Sequence, residues 1–332
     1  MRITRPEYFD HFRCIASACP DSCCKEWAVV VDADKAAFYR SLPGELGDRL
    51  RGVLAEEDGE TVMGIENGRC PMWRTDGLCR IQAELGERAL CRTCREFPRL
   101  RHDYGDFVEL GLELSCPEAA RIILSSTTSA SISEILPGDE TPEYDEEAMS
   151  ILKATRAKAL SILDDRQYDV PSALSLFLLY GCQAQSELDG AEAQPFDPHS
   201  ALEEIAGFAK PADLAELSAF FSGLEILTEE WALRLQSPST GPWTDEYRRI
   251  ARYFAERYWL QAVSDYDLYC RVKFIILSCL LIRYLGGNLL RTAQLYSKEI
   301  ENNIDNVEAI LDAAYTHPAF TDDKLFGSLR KA

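Results

Sequence analysis

The chain is poor in histidine and in basic charge, and it has no long apolar run. Its four histidines (His11, His102, His199 and His317) form no H-E-x-x-H motif and no triad-like pattern, so each reads as a surface or ordinary structural residue. Lys and Arg number 35 against 55 Asp and Glu, a net charge of −20. Phosphate binding needs a basic face, so nucleic acid is not an expected partner; a basic protein or peptide is easier to accept, and the plain alternative is an acidic surface that serves solubility. The acidity sits mainly after residue 124: residues 1–124 carry 17 basic and 22 acidic side chains. The longest apolar stretch, 274–282, is about half of the ~20 residues a membrane helix needs, and Ser278 interrupts it. The first residues lack the apolar core of a secretory signal. The expectation is a soluble, cytoplasmic protein with no membrane partner. There is no G-x-G-x-x-G and no P-loop. C-x3-C-x2-C is also missing, because Cys19 and Cys23 supply the first gap but position 26 is Glu. Conventional dinucleotide, nucleotide and radical chemistries therefore lose their usual fingerprints.

Cysteine is what the chain has in excess. Of 12 cysteines, nine fall before residue 117: Cys14, Cys19, Cys23, Cys24, Cys70, Cys79, Cys91, Cys94 and Cys116. In a reducing compartment such a density points to metal binding or catalysis, not to disulfides; the alternative is nine buried, reduced thiols. The one C-x2-C, Cys91/Cys94, is the kind of knuckle zinc sites use in pairs, while the wider spacings suit an iron–sulfur cluster, and both stay open. Adjacent Cys23 and Cys24 cannot easily serve one geometry, which suggests two centres or one ligand beside an auxiliary thiol. Cys116 precedes Pro117 and Glu118 at the start of a helix, where the dipole favours a thiolate, and Ser115 and Glu118 have capping-box spacing. Cys182, Cys270 and Cys279 lie in apolar helical contexts and read as small buried hydrophobes.

The fold class expected is mainly α: a small α+β cysteine-rich, metal-bound module over residues 1–124, a solvated Ser/Thr/Pro connector over 125–147, and an all-helical domain over 148–332. In the first part, strands are expected at 27–31, 61–65 and 108–114, and helices at 34–42, 45–56 and 78–85. Later helices are expected at about 146–163, 171–187, 199–209, 212–222, 224–235, 244–263, 266–285 and 297–315. The aromatics from Tyr247 to Tyr284 recur at helical spacing, as core residues do, with a ligand-lining role as the alternative. Arg88, Arg92, Arg95, Arg99 and Arg101 form a basic cluster beside Cys91 and Cys94. It is either a solvated helix face or a counter-charge for anionic thiolates or a ligand carboxylate.

Four blocks resemble the flagellin lysine-N-methylase family, within a broader group of cysteine-cluster proteins. They run from Phe12 through Cys14, Cys19 and Cys23-Cys24 to Trp27; from Cys70-Pro-Met-Trp73 to Cys79-Arg-Ile81; from Leu90 through Cys94 to Arg99; and from Leu114 through Cys116 to Arg121. The resemblance implies methyl transfer from S-adenosylmethionine to the side-chain amines of flagellin lysines, a protein-lysine N-methyltransferase activity in which a 4Fe–4S cluster takes part. It also implies that Cys14, Cys19, Cys23, Cys24, Cys70, Cys79, Cys94 and Cys116 serve the metal, with Cys91 a possible addition and zinc the alternative metal. Physical chemistry adds that the amine must be deprotonated and held in line with the sulfonium methyl. Arg99 and Arg121 are candidates for the cofactor's carboxylate, and Glu118 is a candidate acid/base group. The rival readings are a non-enzymatic zinc or iron–sulfur module that binds a protein or senses redox state, and an electron-transfer or cluster-handling protein.

Overall fold

A computed structural model describes residues 1–23, 28–57, 59–126, 130–137 and 141–330. The first half alternates short elements: β1 (Arg2–Pro6), β2 (Val29–Val30), α1 (Ala33–Ser41), α2 (Gly44–Val53), β3 (Leu54–Glu57), β4 (Glu60–Met63), α3 (Arg80–Leu85), α4 (Arg92–Glu96), β5 (Arg99–Asp103), β6 (Phe107–Leu112), α5 (Pro117–Ser125) and β7 (Ser131–Ile135). Helices follow: α6 (Glu146–Asp164), α7 (Val170–Leu188), α8 (Pro198–Phe208), α9 (Leu214–Ser222), α10 (Glu229–Gln236), α11 (Glu246–Tyr258), α12 (Leu268–Leu285), α13 (Leu289–Tyr296), α14 (Ile304–Thr316) and α15 (Asp322–Arg330). The protein is mainly helical, as expected, with a small sheet region.

Local chemistry accounts for most helix starts. Asp145, Asp169, Asp197, Thr228, Asp267 and Asn288 each accept a backbone N–H from the first turn of the helix they precede. Helix α12 is buried on every side and forms the axis on which α7, α11, α13 and α14 pack. That explains the apolar run 274–282 without a bilayer, and no helix among the described residues is long and apolar enough to cross a membrane. Phe254 meets Tyr253 and Phe274 edge to face, Tyr258 meets Phe274, and Trp259 meets Phe177 on α7 in the same way.

Two hydrophobic cores divide the chain differently from the expected boundaries. A small core joins Val29, Tyr39, Leu50, Met72, Ile81 and Leu90, together with Cys70 and Cys91. The main core begins with Phe12, continues through Phe107, Leu114 and Ile123, and runs to Leu329. The unit formed by residues 28–97 is therefore inset between β1 and β5, and the four-stranded sheet belongs with the helices. That sheet has the order β5-β6-β1-β7, with β1 parallel to β6 and the other neighbours antiparallel; β2-β4-β3 form the second sheet.

Several expectations need correction. The segment 125–147 is not only a solvated connector, because its β7 pairs with β1 along the sheet edge. Arg99 and Arg101 lie on strand β5, not on a helix face. The helix expected over 297–315 is two helices: after α13, a π-helical turn (Ser297–Glu301) precedes α14. Cys182 is exposed, while Cys270 and Cys279 are buried.

Gly286 ends α12 at φ 61°, and a Cβ there would lie 1.6 Å from the Ser239 carbonyl oxygen. Gly286→Ala should destabilise the fold by more than about 1 kcal/mol in chemical denaturation, since the left-handed backbone and the clash both oppose alanine. Gly52→Ala in α2 has open space and an ordinary backbone. It should be neutral or stabilising by up to about 1 kcal/mol.

Candidate functional site

The thiols gather on loops and helix starts. All eleven described cysteines are free, and Cys24 lies outside the described residues, as does Trp27. Cys79, Cys91 and Cys116 each occupy the N-cap position of α3, α4 and α5. Only Cys116 was expected there. Free N–H groups at such positions favour thiolate over thiol. Burial opposes this and wins in the metal-free chain at Cys70 and Cys116, pushed up to about 11 and about 12. Cys91 goes the other way, down to about 7, because the Cys94 thiol and amide both hydrogen-bond it.

Among the N-terminal cysteines, interactions run within the first loop with Cys116 and within the inset unit, and Cys23 joins the two sets. Cys19 lies within electrostatic reach of Cys14 and Cys23, and Cys116 within reach of Cys19 and Cys23. Cys79 acts on Cys70, Cys91 acts on both, and Cys94 joins Cys91. Cys23 reaches both groups. Distant Cys116 is thus brought to the first loop across about a hundred residues of sequence. Among the described residues no three His, Cys, Asp or Glu converge into a ready metal sphere. In kind, the donors fit a thiophilic centre: reduced sulfurs, three at helix N-termini, with no disulfide consuming them.

The two groups are anchored differently. In the inset unit, the Asp32 carboxylate accepts the Arg92 amide at 2.6 Å and Thr93 Oγ1 donates to Val30 at 2.9 Å. Tyr39 Oη donates to the Ala89 carbonyl at 2.7 Å, so α1 and β2 fix the turn that carries Cys91 and Cys94. The first loop is held by the helical body. Asp21, between Cys19 and Cys23, is almost completely buried and accepts from Arg291 Nη1 at 2.9 Å and Gln294 Nε2 at 3.1 Å. Lys298 Nζ stands 3.9 Å away. Gln294 also donates to the Ser115 carbonyl at 2.7 Å, next to Cys116. One face of α13 and its π-helical extension therefore sets both ends of the Cys14/Cys19/Cys23/Cys116 group. No local sequence signal reports this.

The capping box expected of Ser115 and Glu118 does not form. The Ser115 hydroxyl bonds the Glu113 carboxylate, and Glu118 instead takes two hydrogen bonds from Arg121, at 2.8 and 2.7 Å. Arg121 holds the Glu118 carboxyl below its usual range, against a smaller opposing effect of burial. Arg121 also borders a cleft of about 640 Å3 shared with Gly241, Tyr247, Arg249, Gly287 and Leu290. Arg99 is exposed, with its guanidinium 5.1 Å from the Phe12 ring at the entrance to the first cysteine loop.

A segment of 144 residues, 40% of the chain, is 35% identical to the flagellar biosynthetic protein FliU of Salmonella muenchen and spans 82% of that protein. The chain belongs to this family. Segments of 143 residues are 34% and 33% identical to the lysine-N-methylases of Salmonella choleraesuis and Salmonella typhimurium. The match spans only about a third of the length of those two proteins, 35% in each case. No family model matches the chain, and no solved structure matches it.

Asp21→Ala should loosen the first cysteine loop. Removing the buried carboxylate strips Arg291, Gln294 and Lys298 of their common partner, at a cost of about 1–3 kcal/mol. Native-state alkylation of Cys19 should accelerate, while that of Cys94 stays unchanged. Equal labelling of Cys19 in variant and parent would contradict this anchoring.

Proposed function

We propose that the chain is a protein-lysine N-methyltransferase that moves a methyl group from S-adenosylmethionine to side-chain amines of flagellin. The observation that carries this reading is the similarity to two proteins named lysine-N-methylase, at 33–34% identity over 143 residues. The relative named for flagellar biosynthesis supports the choice of substrate. So does the net charge of −20, which attracts lysine-bearing surfaces.

The residues suited to a thiophilic cofactor are Cys14, Cys19, Cys23 and Cys116 in one group and Cys70, Cys79, Cys91 and Cys94 in the other. An iron–sulfur cluster with an open iron, when bound, would supply a Lewis-acidic anchor for the amino-acid end of S-adenosylmethionine. The chain's own part begins at α5. Arg121 borders a cleft large enough for a nucleoside-sized ligand, since such sites run from about 300 to 1,000 Å3. Its guanidinium suits a carboxylate. Glu118, held ionised by Arg121, is a weak base toward a lysine ammonium, and we assign it the task of orienting Arg121. Arg99, over Phe12 beside the first cysteine loop, would offset thiolate charge there.

The test is anaerobic purification with iron, zinc and sulfide analysis, followed by transfer of labelled methyl from S-adenosylmethionine to purified flagellin. Label on lysine that disappears when air destroys the cluster is the expected result. Arg121→Ala should weaken S-adenosylmethionine binding by about tenfold or more with metal content unchanged, the scale of one charge-assisted hydrogen bond. Zinc alone, no binding of S-adenosylmethionine and no label would favour the non-enzymatic protein-binding module.

A further inference from the structure

A second cleft, of about 890 Å3, shares Pro242 and Thr244 with the cleft bordered by Arg121, but Arg121 lines only the first and Arg283 only the second. Its size lies within the range of about 300–1,000 Å3 that small-molecule sites occupy. Part of its wall is apolar: Val170 at the start of α7, Leu202 and Ile205 on α8, and Leu329 on α15. Trp243, just before α11, and Arg283, in the last turn of α12, stand together in the same wall, with the guanidinium 4.7 Å from the ring centre.

The charges in this wall are unevenly matched. Three arginines face two aspartates, and both aspartates are engaged elsewhere. Asp169 accepts the Ser172 amide at 2.9 Å, and Asp245 meets Arg166 at 2.5 Å and Arg248 at 3.4 Å. Arg248 also donates to the carbonyls of Leu163 and Tyr168. Exposed Arg330 donates to the Ala206 carbonyl at 3.3 Å.

Arg283 is the exception. It is only 2% exposed, and among the described residues no carboxylate pairs with it. Its one hydrogen bond runs from Nε to the Gly241 carbonyl at 3.0 Å. Nη1 is sealed from solvent and bonds nothing. Nη2 bonds nothing either but is not sealed, so it is the edge of the guanidinium left to the cleft. Burial pulls the Arg283 pKa below its usual range, opposed only by Tyr247. The C-terminal end of α12 favours a cation, and the Nε bond ties that helix to the segment before α11. Those two roles explain the charge and one nitrogen. They leave the outer edge of the guanidinium unexplained, since buried donors are normally paired.

We propose that this cleft binds a small organic anion, a carboxylate or phosphate monoester whose oxygen accepts from Nη2 of Arg283 and whose apolar body lies against Leu202, Ile205 and Leu329. The assignment goes beyond the methylase reading and does not depend on it. A cation held out of water with no acid beside it attracts an oxyanion more strongly than an exposed one does, because less solvent screens the pair. A chain of net charge −20 repels anions in general, so saturable anion binding here is a local property of Arg283.

The probes are benzoate and phenyl phosphate, titrated into the full chain by calorimetry and ligand-observed NMR. Inorganic phosphate is the control with a head and no body, and benzyl alcohol the control with a body and no charge. One-to-one binding of at least one aromatic anion, tighter than both controls, is the expected result, and the tighter of the two tells carboxylate from phosphate. Arg283→Met should weaken that binding by about tenfold or more, the scale of one charge-assisted hydrogen bond. Should Arg283→Met fold poorly, Ala206→Trp covers the same cleft from an exposed position on α8 and should abolish binding. No saturable binding of either anion, equal binding of benzyl alcohol, or binding unchanged in a folded variant of either kind would overturn the site.

Discussion

Glu301 is a fully buried carboxylate, and the arrangement of the molecule follows from how it is satisfied. Tyr253 and Tyr258 donate to it at 3.0 and 3.1 Å, and Arg257 pairs with it at 3.0 Å. An ion this deep is tolerated only when its lone pairs are filled, so α11 must lie against the π-helical turn that carries it. The same Tyr253 hydroxyl takes a bond from Arg257 at 2.8 Å and meets the Leu114 amide, which fixes the chain where it leaves the sheet for Cys116. One carboxylate thereby ties the helical core, the sheet and a cysteine loop together.

The π-helical turn widens the consequences. Lys298, Glu299 and Glu301 are all buried, yet they serve different neighbours. Lys298 approaches Asp21, Glu299 accepts the Leu227 amide at 2.7 Å, and Glu301 meets the tyrosines. A wider helical turn changes the angles at which successive side chains leave the axis, which lets adjacent charged residues reach three separate partners. The first cysteine group depends on this turn and on α13, whereas the second depends on its own small core around Tyr39 and Met72. The two groups can therefore differ in stability and in response to metal loss, because one rides on the helical body and the other on the inset unit.

Much of the helical half was legible residue by residue. Asp169 before Val170-Pro171 and Asp197 before Pro198 are N-cap signals followed by a helix-compatible proline, and the helices begin there. The aromatics of α11 and α12 read as core from their spacing and are buried, except half-buried Tyr284, while Tyr266 between the two helices is exposed. Strand β5 was hidden because its residues, Arg99 to Asp103, are mostly charged, and a polar edge strand has no apolar period to detect. Strand β7 was hidden inside a Ser-rich stretch, where pairing with β1 and not burial makes the strand.

The sequence by itself determined most of the long helices, the density of free thiols and the family blocks, because caps, periodicity and motif order are local properties of the chain, but it left α4, α13 and α15 unread and set the start of α10 five residues early. Tertiary structure decided which thiols are neighbours, since that rests on Asp21 meeting Arg291 and Gln294 about 270 residues away. It also decided that Glu118 faces Arg121 and not Ser115. Those outcomes depend on how sheet and helices pack to fill space and to satisfy buried charge, and no short window of sequence carries that information.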